Sequence, residues 1–187
     1  MTTKIYIIDL RPDNARAIKE TASLLFRGFR EHNSNGWPTI KDALQEVEES
    51  LQEGHISRIA TDTSNRVLGW IGGIGKYQGH VWELHPLVVD PDYQHQGIGR
   101  ALVEDFEKIV KKQKGTTIWL GADDEDNMTS ISGIDLYPDV LGHLSKIKNL
   151  KGHPYEFYQK MGFVIIGVLP DADGPGKPDI FMAKRIR

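Results

Sequence analysis

The 187-residue chain contains no cysteine. That excludes disulfides, thiolate zinc sites and a cysteine nucleophile. It also lacks any apolar run near the ~20 residues that a membrane-spanning helix requires. The opening Met1-Thr2-Thr3-Lys4-Ile5-Tyr6 has no long apolar segment of the signal-peptide kind. Together these absences predict a soluble, cytoplasmic protein. Neither sign of charge dominates: 23 basic and 26 acidic side chains leave a formal net charge of −3. No polycationic field is present, so nucleic acid and anionic membranes are not expected as partners. No internal repeat, low-complexity tract or linker interrupts the sequence, and its length suits one domain over 1–187.

The patterning that is present alternates between strand and helix periods. Strands are expected near 3–9, 57–63, 67–74, 81–89, 116–121, 163–169 and 179–186. Thr63-Ser64-Asn65-Arg66 is a turn-like cluster that makes the second and third of these a hairpin. Helices are expected near 13–30, 40–53, 96–113, 134–149 and 155–161. Thr39 with Asp42 three residues on gives the second helix a capping box. The 134–149 helix rests on the spacing of Leu136, Val140, Leu144 and Ile147. Strands and helices mixed around one sheet define an α/β (α+β) class.

The most informative stretch is Glu83-Leu84-His85-Pro86-Leu87-Val88-Val89. Side chains alternate along a strand, so Glu83, His85 and Leu87 share one face while Trp82 and Leu84 share the other. A carboxylate and an imidazole thus lie on a strand that otherwise reads as buried. Pro86 cannot donate a ladder hydrogen bond and in a sheet is confined to a bulge or an interrupted pairing. The strand is interrupted beside its own ionisable residues.

Gln94-His95-Gln96-Gly97-Ile98-Gly99-Arg100-Ala101 follows at once and opens a helix. Glycines at 97 and 99 let backbone N–H groups approach a ligand closely, and a helix N-terminus favours an anion such as pyrophosphate. Gly75-Lys76 is followed by Tyr77 rather than Ser or Thr, which excludes a P-loop. Gly97-x-Gly99 is followed by Leu102 where a dinucleotide fingerprint needs a glycine or alanine. Histidines 80, 85 and 95 have no carboxylate or cysteine at a recognisable ligand spacing, so no metal is expected.

Gln94-x-x-Gly97-x-Gly99 after a strand resembles the acetyl-coenzyme A signature of the GNAT superfamily of N-acetyltransferases. Several segments in order resemble the aminoglycoside 6′-N-acetyltransferases. These are residues 82–89, Leu120-Gly121-Ala122-Asp123-Asp124, His153-Pro154-Tyr155-Glu156-Phe157-Tyr158, and Gly167-Val168-Leu169-Pro170 through Lys177-Pro178-Asp179-Ile180. The likeness fades over residues 1–57. It implies a GNAT fold with a central mixed sheet, splayed at the Pro86 strand and flanked by helices, and a homodimer. It also implies acetyl transfer from acetyl-coenzyme A to a primary amine, the 6′-amine of an aminoglycoside. Leu87, Val88, Val89, the 94–101 segment and Tyr158 would then contact the coenzyme.

The same resemblance assigns roles. Glu83 would anchor the acceptor ammonium and take its proton, because an alkylamine with a pKa of about 10.4 is mostly protonated at neutral pH. His85 would orient water, Glu83 or the acceptor, although a lone histidine is also a common structural residue. The Leu87 backbone N–H would donate to the thioester oxygen, or else make an ordinary ladder bond. Tyr158 would protonate the departing thiolate, with Tyr155 the weaker candidate. Asp123 and Asp124, in the run Asp123-Asp124-Glu125-Asp126, would draw in a polycation, although acidic runs are also ordinary solvated loops. Two rivals stay open: an acetyltransferase acting on a peptide N-terminus, lysine or polyamine, and a non-catalytic acyl-coenzyme A sensor.

Overall fold

A computed structural model describes residues 4–30 and 36–186. Its contacts gather into two compact units, one of Met1–Thr116 with Ile186–Arg187, the other of Thr117–Arg185. The segment Phe29 to Pro38, whose effect on an acceptor pocket the sequence leaves open, lies partly outside the described residues.

The first unit is an antiparallel meander in the order β1 (Tyr6–Asp9), β2 (His55–Thr61), β3 (Val67–Lys76) and β4 (Val81–Val89). The β2–β3 hairpin forms as expected. The Asp62 carboxylate accepts the N–H groups of Ser64 (2.8 Å) and Arg66 (3.0 Å), and Asn65 takes a left-handed φ of 59°. Even and odd positions of β3 serve different layers. Trp70 is fully buried in a cluster with α1 (Ala15–Phe29) and α2 (Ile40–Glu49), including Leu24, Leu25, Ala43 and Val47. Its indole N–H donates to Ser57 Oγ at 2.9 Å, so the one polar atom of this large core residue is satisfied. Gly69 and Gly73 face α3 (Ile98–Lys112) instead. A Cβ at Gly73 would overlap the Phe106 ring, and one at Gly69 would press on Leu102 and Ile98. Gly69 and Gly73 are the space that these α3 side chains fill.

The helices start where their caps are. Asn14 accepts the Ala17 N–H at 3.1 Å, and Thr39 with Asp42 forms both bonds of the expected capping box. Arg58 ties β2 to α3 through Asp105, Nε to Oδ2 at 2.7 Å, and also pairs with Asp9 of β1.

The second unit has three antiparallel strands in the order β5 (Thr117–Asp123), β7 (Asp179–Arg185), β6 (Val164–Leu169). Its helices are α4 (Val140–Leu144) and α5 (Tyr155–Lys160). α5 ends on Gly162 at φ 88°, with the Phe163 N–H reaching back to the Tyr158 carbonyl (3.0 Å) and Lys184 Nζ donating to the Met161 carbonyl (2.6 Å).

The long helix expected over 134–149 does not form. Tyr137–Asp139 is a 3₁₀ turn, and α4 spans five residues. The chain then leaves helical geometry to pair with the 128–130 loop. Lys148 N–H donates to Ser130 Oγ, Ser130 N–H to the Lys148 carbonyl, and Leu150 N–H to the Met128 carbonyl. Backbone groups spent in this way cannot continue a helix. Leu136 is buried as its spacing implied, but Leu141 is 75% exposed.

Candidate functional site

In the first unit, β4 carries the expected interruption. Leu84 pairs with Gly73 and Leu87 with Ile71, so His85 and Pro86 together stand opposite Gly72. The His85–Pro86 peptide is cis. Gly72 is required there, because a Cβ would collide with the His85 carbonyl. Trp82, Leu84, Pro86 and Val88 are buried, whereas Glu83 and Leu87 are half-buried and His85 is exposed, as the alternation predicted. Leu87 follows the bulge directly.

Glu83 is partnered, by a residue that the sequence did not single out. Lys76 Nζ lies 3.5 Å from its Oε2, so the carboxylate already receives an ammonium. His85 approaches a second carboxylate, Glu46 of α2, at 3.8 Å from Nε2 to Oε1. Trp37 donates its indole N–H to the other Glu46 oxygen at 3.3 Å and sets its ring 5.7 Å from the His85 ring. Phe29 packs edge-on to Trp37 at 4.9 Å. Glu46 and Trp37 were missed because nothing in the α2 pattern marks one glutamate among several.

The loop after β4 is built by Asp90. This nearly buried carboxylate accepts the Asp92 N–H and the Arg27 guanidinium, each at 3.1 Å, while its carbonyl accepts the Tyr93 N–H at 2.8 Å. The Asp90-Pro91 pair is a turn-initiating signal that could have been read from sequence. His95 and Gly97 then take left-handed φ values of 59° and 87°. Gly97 caps α3, and among the described residues no side chain bonds the first-turn amides and none comes near the position of its missing Cβ. Ile98 and Leu102 anchor the helix from below, whereas Gln94, His95, Gln96 and Arg100 are exposed. An exposed helix N-terminus whose amides no side chain among the described residues claims fits a pyrophosphate.

In the second unit the acidic run is only partly solvated, with Asp123 and Asp126 exposed. Asp124 is fully buried, and its two oxygens accept the N–H groups of Met128 (2.7 Å) and Thr129 (2.8 Å). The expectation that Asp124 steers a polycation is therefore corrected: its charge is spent on stapling the loop. Glu125 is similarly withdrawn, against Lys177 at 3.4 Å. Asp123 is exposed and stands directly opposite Asp179 across the β5–β7 pairing. Burial first, and the Asp123 charge second, push the Asp179 carboxyl up to about 7.

Tyr158 is buried, with its ring 5.1 Å from Phe157 and 5.6 Å from Phe163. Burial pushes its phenol above the ordinary tyrosine value, so it holds its proton throughout the neutral range. Tyr155 shifts in the same direction, from burial and then the Glu156 charge. Among the described residues there is no group of three or more His, Cys, Asp or Glu side chains that could hold a metal ion.

The acetyltransferase (GNAT) family model matches residues 19–142, well over half of the chain. The chain belongs to the GNAT family of acetyltransferases. It is an acetyl-coenzyme A-dependent N-acetyltransferase of mixed α/β fold. Two solved structures share 39% identity with it over 97% of both chains. One is an aminoglycoside 6′-N-acetyltransferase complexed with coenzyme A, TM-score 0.88; the other is the aminoglycoside 6′-N-acetyltransferase from Enterococcus faecium, TM-score 0.86. A curated relative, the [ribosomal protein bS18]-alanine N-acetyltransferase of Escherichia coli K12, is 39% identical over 57 residues. That match covers 30% of this chain and 36% of the relative's own length. No helix among the described residues is long and apolar enough to cross a membrane.

Proposed function

We propose that this GNAT enzyme acetylates the 6′-amine of an aminoglycoside, and that residues 1–187 act as one catalytic domain. The observation that carries the reading is Glu83, a half-buried carboxylate beside the β4 bulge that already receives an ammonium, that of Lys76. Likeness over 97% of the chain to two aminoglycoside 6′-N-acetyltransferases supports the choice of acceptor. Acetyl-coenzyme A supplies an activated acetyl group as a thioester. Glu83 takes the proton of the bound ammonium, directly or through water, which frees the nitrogen lone pair to attack the thioester carbon. The Leu87 N–H donates to the carbonyl oxygen as charge develops there. A donor of this kind is worth roughly 3–4 kcal/mol where one has been removed. As the C–S bond breaks, Tyr158 gives its phenolic proton to the sulfur, and the second proton that the acylated nitrogen sheds returns through water to the phenolate. The products are an amide and the free thiol, with the ammonium proton left on Glu83.

His85 and Glu46, braced by Trp37, would hold the acceptor or its water, and Asp123 would attract a further ammonium. Leu87, Val88, Val89 and the 94–101 segment would hold the coenzyme, with the first-turn amides of α3 on its pyrophosphate. A homodimer belongs to the same reading. β6 ends its strand order with Val164, Ile166 and Leu169 at 61%, 59% and 48% exposed, an apolar edge of the sort that a second copy covers. Light scattering during size exclusion would return the monomer mass if that is wrong.

The deciding experiment measures coenzyme A release against aminoglycosides with and without a 6′-amine, polyamines and peptides. Release confined to 6′-amino compounds supports the reading. Release with peptides beginning in alanine would favour the second reading, a peptide N-terminus as acceptor. That reading draws on the 57-residue match to the ribosomal-protein acetyltransferase.

A further inference from the structure

His153 lies in the second unit, 1% exposed, with every polar atom engaged. Its Nε2 is 3.0 Å from the Asp123 carbonyl oxygen, which can only accept, so Nε2 carries the proton. Its Nδ1 is 3.2 Å from the Tyr155 backbone nitrogen, which can only donate, so Nδ1 is the bare acceptor. The partners thereby fix one tautomer. The backbone of His153 is clamped as well: its N–H donates to Asn149 Oδ1 at 2.7 Å, and Asn149 Nδ2 donates to its carbonyl at 3.0 Å. The imidazole therefore bridges the last residue of β5 and the first of α5. Tyr158 stands one turn further along α5, its N–H directed to the Pro154 carbonyl at 3.3 Å.

We propose that His153 is a positioning residue: as the neutral Nε2–H tautomer it fixes the start of α5, and with it Tyr158, against the end of β5, and a second proton on Nδ1 breaks that hold. The proposal rests on Tyr158 being the acid that serves the departing thiol. Its physical basis is direct. A proton on Nδ1 would face the Tyr155 N–H donor to donor, and would place a cation in a buried site.

Among the described residues, the groups that act on the ring are the Asp123 carbonyl at the end of β5, the Asp124 carboxylate just after it, and Tyr155 on α5, whose ring lies 5.5 Å away; the Asn149 side chain holds the His153 backbone. Burial lowers the ring pKa below the ordinary histidine value, and the bond to Asp123 and the Asp124 charge act in the other direction. The hold is therefore complete at neutral and alkaline pH and is lost in acid, below the usual histidine range.

The test compares His153→Gln, His153→Phe and Tyr158→Phe with wild type. A glutamine side chain offers an acceptor oxygen and an NH2 donor group, so it can serve both partners without titrating. The first readout needs no substrate: ring carbon resonances of labelled tyrosine, followed from neutral to acid pH. The Tyr158 signal should move with the His153 titration in wild type and stay still in His153→Gln. The second readout is turnover at pH 7.5 with whichever amine the acceptor panel supports. His153→Phe should lose at least ~10-fold in kcat while its KM for acetyl-coenzyme A stays within about 3-fold, and His153→Gln should stay within about 3-fold of wild type in kcat. A Tyr158 signal indifferent to His153 protonation overturns the proposal, as does a folded His153→Phe with wild-type kcat. Should His153→Phe fail to fold, the wild-type and His153→Gln resonances decide. Wild-type turnover in Tyr158→Phe would sink the acid role instead, and the resonances would still judge whether His153 positions Tyr158.

Discussion

Replacing Asp179 by asparagine should make the protein more stable, and increasingly so as pH rises. Asp179 sits at a cross-strand position opposite Asp123, over Gly121, whose missing Cβ leaves room for the carboxyl group. One of its oxygens, Oδ1, is buried and has no hydrogen-bond partner among the described residues. Its pKa is pushed up to about 7 from an ordinary 3.8, by burial and then by the Asp123 charge. Between those values the native state keeps a proton that the unfolded chain has released, so stability falls as pH rises through the window and levels off above it. From pH 5 to 7 the formal penalty is two pKa units at about 1.36 kcal/mol each. The residue is half-buried, and solvent screening reduces the effect, so about 1–2 kcal/mol is expected. Asparagine keeps the shape and cannot ionise. Urea unfolding at pH 5, 6, 7 and 8 should show the stability difference between Asp179→Asn and wild type growing by that amount at constant m. Asp123→Asn should remove the smaller part of the pH dependence, since burial is the first cause and charge the second. A difference that does not vary with pH would refute the reasoning.

Asp124→Ala should cost about 2–4 kcal/mol, because it leaves the buried Thr129 N–H and the part-buried Met128 N–H without their acceptor; a thermal melt within 1–2 °C of wild type would contradict this. Asp123→Asn, by contrast, should raise the KM for a polycationic acceptor and weaken its salt dependence, with little change in kcat; a kcat loss alone would place Asp123 elsewhere in the mechanism. Glu83→Gln should lower kcat by ~10²–10⁴-fold and alter its pH profile, and near-normal turnover would remove the base assignment. Gly97→Val must adopt φ 87° with a β-branched side chain, so calorimetry should show weaker coenzyme binding by the folded variant; unchanged affinity would detach the α3 amides from the pyrophosphate.

Local rules carried much of the reading and failed in an instructive place. β4 falls on the expected 81–89, and the bulge at Pro86 followed from one missing N–H. The Thr39 cap and the Gly97 helix start also depend on a few adjacent residues, which is why they were legible. The 134–149 segment shows the limit, since its apolar spacing is helical while its backbone bonds go to the 128–130 loop. The choice between a continued helix and that pairing was made by residues elsewhere in the chain.

The acidic run repeats the lesson in electrostatic form. Four consecutive acids read as solvated charge, yet Asp124 folds back on its own loop, Glu125 meets Lys177 at 52 residues' separation, and Asp123 faces Asp179 through strand register. Each outcome depends on a partner distant in sequence or on a loop conformation that composition does not encode. Residue type thus singled out the candidate groups, and register decided what each group is bonded to. The same asymmetry holds at Glu83. Its place on an interrupted strand was readable, whereas its ammonium partner Lys76 was not, because Lys76 comes near only once β3 and β4 have paired across the bulge. An acceptor amine seeking Glu83 must therefore displace a lysine, and Lys76→Ala should lower the KM for the acceptor if Glu83 is its anchor.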